Sequence, residues 1–263
     1  MGQKTKIDWC DASWNPVTGC RHGCEYCYAR RIAERFGGLT PDNQNHVLEE
    51  LNHDVRGNAD VYPFGFAPTF HRYKLDELQH WKKPRTIFVC SMADLFGNWV
   101  PDKWILDVLD ACKAAPQHRY LFLTKNPKRY VQLADMDVLP KGDRFWYGTS
   151  TPRPTDKAFW CRPLQQNDSN YLHTFVSVEP ILEPFGAVAT DGVPALTVAP
   201  SGWVIVGAET GNREGRVKPE KEWIMEILHE CRRCGTPIFM KESLREIIGA
   251  DFVQEYPWKR EDA

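Results

Sequence analysis

No stretch of this sequence approaches the roughly 20 apolar residues needed to cross a bilayer. The opening "MGQKTKIDWCD" carries no apolar leader core, so a cytoplasmic protein that spans no membrane is expected. An excess of either charge is also missing: 33 Lys and Arg face 35 Asp and Glu, a formal net charge of −2. That balance removes any global electrostatic case for nucleic acid and leaves only local patches. No internal repeat, low-complexity tract or obvious linker divides the chain. What is present is an apolar fraction of 42% and ten tryptophans in 263 residues, enough to bury a substantial core and to argue against disorder.

Short apolar runs rich in β-branched or aromatic residues recur along the chain: "TIFVCS" (86–91), "RYLFLT" (119–124), "RFWYGTS" (144–150), "HTFVSV" (173–178), "GWVIVG" (202–207) and "PIFMK" (237–241). Between several of them lie segments with helical spacing. "DKWILDVLDACKAA" (102–115) has an acidic start, "NPKRYVQLAD" (126–135) is shorter, and "PEKEWIMEILHECRRCG" (219–235) opens with proline and closes with glycine. Buried strands alternating with helices predict a parallel sheet made of βα units. With a first strand near residues 12–18, about seven units fit, which predicts a partial or complete parallel β/α barrel. We expect one domain over residues 1–263. Residues 38–83, helix-like at their start, read as an insertion after the first helix, and 183–201 as a loop or small excursion.

In such barrels the chemistry gathers at the C-terminal ends of the strands. Each apolar run here ends in polar residues: Ser91 to Asp94, Thr124-Lys125-Asn126, Thr149-Ser150, Glu179-Pro180, Glu209-Thr210-Gly211 and Lys241-Glu242. Any one of them reads as an ordinary cap or loop residue. Six together predict a polar pocket on one face.

Nine cysteines in a cytoplasmic chain are expected to be thiols or ligands rather than a disulfide framework. Cys90, Cys112 and Cys161 are scattered and read as small buried hydrophobes. Cys231 and Cys234 form a CxxC pair at a helix end, where packing is a simpler account than half a zinc site or a redox pair. The dense cluster is Cys20, Cys24 and Cys27 in "TGCRHGCEYCYARR" (18–31). Three accounts compete for it. A structural zinc site would need a fourth ligand, from His22, Cys10 or the distant CxxC pair. A chance cluster of buried thiols fits poorly with such polar surroundings. A four-iron cluster held by three thiolates would leave one iron open for chemistry.

These residues carry a resemblance. The spacing Cys20-x3-Cys24-x2-Cys27, with Tyr26 before the last cysteine, resembles the motif of radical S-adenosylmethionine (radical SAM) enzymes. With "WNPVTGC", "CYA", "SMADLF", "LTKNP", "SVEP" and "GAETG", most of the chain is similar to the phage-associated three-cysteine proteins of the Gp37/Gp68-like family. The resemblance implies a barrel of the radical SAM type and a [4Fe-4S] cluster ligated by Cys20, Cys24 and Cys27. It implies that the open iron binds S-adenosylmethionine, and that an external electron donor drives its cleavage to a 5′-deoxyadenosyl radical that abstracts hydrogen from a substrate. The usual glycine-glycine-glutamate motif is absent. "SMADLF" stands in its place, making Ser91 and Asp94 the candidates for the methionyl ammonium. Thr149 and Ser150 are candidates for ribose or carboxylate, and Glu179 and Glu209 for cofactor or substrate. Lys125 and Lys241 would offset a carboxylate charge. Each of these charged residues can instead belong to a structural ion pair.

The substrate class is open. Arg21, Arg30, Arg31 and Arg35, with Arg213, Arg216, Lys218 and the aromatics of residues 62–73, are candidates for nucleic-acid or nucleotide contact. A solvated face is the plainer account. The competing function class is a non-catalytic zinc- or iron–sulfur-binding module that serves nucleic-acid or protein interaction.

Overall fold

The computed structural model describes residues 5–37, 49–52, 62–156, 172–186 and 202–258. The apolar runs form the strands of one parallel sheet: β1 (Ala12–Trp14), β5 (Thr86–Val89), β6 (Arg119–Thr124), β7 (Phe145–Ser150), β8 (His173–Val178), β9 (Val204–Val206) and β10 (Ile238–Met240). They lie side by side in that order, and every pairing is parallel. The sheet curls into a half-barrel that runs from β1 to β10 without closing. Of the two alternatives the sequence left open, the partial barrel is the one adopted.

Alternation along each strand decides what faces where. Ile87, Val89, Tyr120, Phe122 and Tyr147 point outward into a cluster with Trp104, Ile105 and Val108 of α2 (Asp102–Lys113) and Tyr130 of α3 (Lys128–Asp135). Val176, Val178, Val204, Val206, Ile238 and Met240 do the same against α4 (Lys221–Cys234). The intervening residues Phe88, Leu121, Trp146, Phe175, Trp203, Ile205 and Phe239 point inward and close around Trp9. Both faces are therefore buried, which is why the strands read as unbroken apolar runs. Each large side chain so buried contributes roughly 1.5–3 kcal/mol.

The stretch 12–18 is two strands rather than one. Pro16 has no amide hydrogen and cannot continue the ladder. After β1 the chain turns away, and β2 (Val17–Thr18) pairs antiparallel with β4 (Thr69–His71), which pairs in turn with β3 (Glu49–Leu51). This three-stranded sheet is built from the described part of the stretch predicted as an insertion; its helix-like beginning, residues 38–48, lies outside the described residues. The aromatics of residues 62–73 are not an exposed set: Tyr62 and Phe70 are buried, and Arg30 covers the Phe66 ring at 4.9 Å.

Cys231 and Cys234 sit in the last turn of α4, which Gly235 terminates in the left-handed conformation, φ 65°. Cys231 packs into the core and Cys234 lies beside Glu230, as helix-end packing requires. Cys90 and Cys112 are buried; Cys161 and residues 187–201 lie outside the described residues. Among the described residues, no helix is long and apolar enough to cross a membrane.

Candidate functional site

The loop that carries the three cysteines leaves β2 and is pinned at its base. Gly19 donates its amide to Met92 O at 3.0 Å, and Cys20 donates to Phe66 O at 3.2 Å. Gly19 has φ +84°, and a Cβ there would stand 2.2 Å from Ala67 O, so only glycine fits. The loop ends where Cys27 caps α1 (Tyr28–Phe36), its Sγ accepting from Arg30 N at 3.4 Å. Cys20 Sγ accepts from His22 N at 3.5 Å. All three thiols are half-buried and line one cavity of about 1120 Å³ at the C-terminal mouth of the half-barrel. That volume exceeds the roughly 300–1,000 Å³ of a typical small-molecule site.

Burial pushes the Cys20 thiol up to about 12; His22 N opposes this, and Asp94, Cys24 and Cys27 add to it. Such a group becomes a thiolate only beside a cationic centre. Among the described residues, no three His, Cys, Asp or Glu side chains converge as ligands of a single ion would. The ligands of a four-iron cluster stand on separate irons and need not converge. Three thiols on one loop facing one cavity are compatible with such a set of ligands.

The strand ends meet the loop from the other side. Ser91, Asp94, Lys125, Ser150, Glu179, Glu209 and Lys241 all line the same cavity as the cysteines and Tyr26. Thr149 does not. It has the opposite parity to Ser150, is buried, and borders a smaller cavity of about 270 Å³ that Lys125 and Ser150 also line.

Asp94 is the hub. Its Oδ1 accepts from Phe96 N at 3.0 Å and Thr124 Oγ1 at 2.7 Å. Its Oδ2 accepts from Lys125 N at 2.9 Å and pairs with His22 Nε2 at 2.6 Å. The carboxylate thus ties the cysteine loop to β6. Lys125 makes a second tie, donating to Tyr26 Oη at 2.8 Å and Ser150 Oγ at 2.9 Å. A third comes from Asn15, whose Oδ1 accepts from Ser91 Oγ at 3.1 Å and Met92 N at 3.0 Å. Tyr28 donates its hydroxyl to Ser91 O at 2.5 Å.

On the far side Lys241 pairs with Glu179. Burial alone would lower the Lys241 ammonium, but Glu179 outweighs it and the net shift is upward. Gly207 leaves the room: a Cβ there would lie 2.8 Å from Lys241 Cδ. Glu209 is buried and accepts from Arg213 Nε at 2.6 Å and Nη2 at 2.8 Å. The Arg213 hydrogen bonds hold the Glu209 carboxyl below its ordinary 4.5. A depressed carboxyl contributes stability above its ordinary range and loses it as pH falls through the folded value. We therefore expect the thermal midpoint of the parent to fall as the pH drops below about 4.5. Glu209→Gln should start lower at neutral pH and converge on the parent in acid, measured as thermal midpoint against pH.

Several lining residues were not singled out from the sequence. Asn15 sits inside "WNPVTGC", and Ser177 inside "SVEP" shares the parity of Glu179, so the period of two could have found it. Trp9 also lines the cavity and carries no local signal, and Arg31, one of the arginines read as candidates for nucleotide contact, lines it too.

A family model described as "Protein of unknown function (DUF5131)" matches residues 4–246. Among solved structures, spore photoproduct lyase complexed with dinucleoside spore photoproduct is similar at TM-score 0.53 and 10% identity, covering 92% of this chain and 79% of that one. A cysteine-to-alanine mutant of that lyase, also with dinucleoside spore photoproduct, gives TM-score 0.53 and 11% identity over the same shares. A search of the curated proteins finds no match. The likeness is one of fold: a curled α/β half-barrel of parallel strands.

Proposed function

The chain belongs to the DUF5131 family, and for this member of it we propose a radical S-adenosylmethionine enzyme acting on a nucleotide or nucleic-acid substrate. One observation carries the reading. Cys20, Cys24 and Cys27, in the C-x3-C-x2-C spacing, line a single large cavity at the strand C-termini of a parallel half-barrel, facing a set of strand-end polar groups. We take residues 1–263 as one barrel domain and keep with the proposal the motif resemblance to phage-associated three-cysteine proteins.

In this reading Cys20, Cys24 and Cys27 hold a [4Fe-4S] cluster. A cluster held there and reduced by an external donor would supply the electron for reductive cleavage of S-adenosylmethionine, the source of the 5′-deoxyadenosyl radical that would take hydrogen from the substrate. The chain's own residues hold and shield. The Asp94 and Lys125 ties fix the loop against β6 and β7, so the thiols keep one geometry.

Asp94 takes a different part from the ammonium contact that its position predicts. It accepts from four protein donors, about the capacity of a carboxylate. The ammonium contact falls to Ser91, whose hydroxyl donates to Asn15 and keeps lone pairs to accept. Ser150 accepts from Lys125 and retains its own O–H for a ribose or carboxylate oxygen. Thr149 lines a smaller neighbouring cavity, bordered also by Lys125 and Ser150, rather than the one that holds the cysteines. Glu179 and Glu209 remain cavity carboxylates, each neutralised by a basic partner. The substrate class draws support from the structural neighbour, which was solved with a dinucleoside, and from Arg31 on the cavity wall.

Colour separates this reading from the zinc-bound module. Purified without oxygen, the protein should be brown, with broad absorbance near ~400 nm and bound iron. A colourless protein carrying zinc would reject it.

A further inference from the structure

Two buried polar groups of cavity-lining residues have no hydrogen-bond partner among the described residues. Trp9 is 2% exposed and Ser177 0%, and both line the cavity. Trp9 Nε1 and Ser177 Oγ are buried without a hydrogen bond among the described residues. Buried polar groups are nearly always satisfied, and those left over call for an explanation such as a missing ligand or water. Of the unpartnered buried side-chain atoms among the described residues, these are the two that belong to cavity-lining residues.

Their surroundings narrow the chemistry. Trp9 packs on Phe88, ring centroids 4.7 Å apart, and on the inward cluster that forms the floor of the half-barrel. Phe88 and Leu123 also line the cavity, with Ser13 beside Phe88 in the sheet register, so this end is largely apolar. The neighbouring Lys241 and Glu179 cancel one another's charge. The floor therefore suits an uncharged, planar group. An indole N–H can only donate, so that group must offer an acceptor; a serine hydroxyl can meet either a donor or an acceptor.

We propose that Trp9 and Ser177 form a substrate subsite on the cavity floor that takes the hydrogen-bonding edge of a nucleobase. The base enters first and stacks against the floor aromatics, while Arg31, on α1, is placed on the cavity wall to meet a phosphate. This assignment rests on the enzyme reading above and deepens it. The adenine of S-adenosylmethionine has an edge of the same chemistry, and the experiment separates the two sources.

Anaerobically prepared protein is titrated with thymidine, deoxycytidine, deoxyadenosine and deoxyguanosine, and separately with S-adenosylmethionine. The parent should bind at least one deoxynucleoside. Trp9→Phe, which keeps a ring but removes the N–H, and Ser177→Ala should each weaken that binding by about three- to tenfold, the size of one hydrogen bond. Neither should change the affinity for S-adenosylmethionine. The thermal midpoint of Ser177→Ala should hold or rise, because the hydroxyl it removes has no hydrogen-bond partner among the described residues. Unchanged nucleoside binding in both variants, a falling midpoint in Ser177→Ala, or a loss of S-adenosylmethionine affinity instead would each overturn the subsite. A parent that binds S-adenosylmethionine but no deoxynucleoside overturns it while the enzyme reading stands. A parent that binds neither overturns both.

Discussion

Replacing Cys20, Cys24 or Cys27 by alanine should strip the anaerobically purified protein of iron, from about four per chain to close to none. Each thiol would hold a different iron, and three is already the minimum that keeps such a cluster on the loop. The effect should therefore be all or nothing at every one of the three positions. Cys231→Ala and Cys234→Ala should keep full iron, because that pair lies in the last turn of α4 and lines no part of the cavity. Alanine at Cys27 also removes the cap of α1, so lost iron there has two explanations. Cys27→Ser separates them: serine still caps a helix but offers a hydroxyl in place of a thiolate. It should restore the helix, by circular dichroism, and not the iron. Iron retained in any of the three alanine variants, or lost from Cys231→Ala or Cys234→Ala, contradicts the ligand assignment.

Gly19→Ala should be among the most damaging single-methyl changes in the protein. At φ +84° an alanine is strained, which costs on the order of 1–3 kcal/mol. Its methyl would stand 2.2 Å from Ala67 O and 2.8 Å from Phe66 O, both backbone atoms that no rotamer change can move aside. Overpacking of that kind adds roughly 1–3 kcal/mol. At about 2–4 °C per kcal/mol for a chain of this size, the thermal midpoint should drop by roughly 5–20 °C. The chain should relieve the clash by moving the segment that Gly19 and Cys20 anchor to Met92 and Phe66, so the iron content should fall as well. A midpoint within about 2 °C of the parent with full iron would show that the loop base tolerates a side chain, contrary to the geometry.

Much of the fold was legible because a parallel sheet buried on both faces leaves a plain mark. "RYLFLT" and "HTFVSV" are strands at the bounds their apolar runs give, and the polar residues after them do converge on one cavity. Residues 12–18 were harder. Apolar Trp14 and Val17 stand on either side of Asn15-Pro16, and only the missing amide hydrogen of the proline shows that two sheets share the stretch. Thr149 and Ser150 look alike in composition and differ in parity, and only Ser150 lines the cavity that holds the cysteines. Asp94 was the least legible. Its position after β5 says that it stands at the mouth, yet its partners His22 and Thr124 lie 72 and 30 residues away. No local pattern reports that its oxygens are filled. The two unpartnered groups on the floor, Trp9 and Ser177, emerge only from a full count of hydrogen bonds in three dimensions.

The central claim is that the three-cysteine cavity supports reductive cleavage of S-adenosylmethionine. The most direct test is to reconstitute the protein with iron and sulfide without oxygen, reduce it, add S-adenosylmethionine, and analyse the products by chromatography and mass spectrometry. The account predicts 5′-deoxyadenosine and methionine, formed only by reduced protein and by none of the Cys20, Cys24 or Cys27 variants. A reconstituted, reduced protein that returns S-adenosylmethionine intact, or a product that forms equally in those variants, would contradict it.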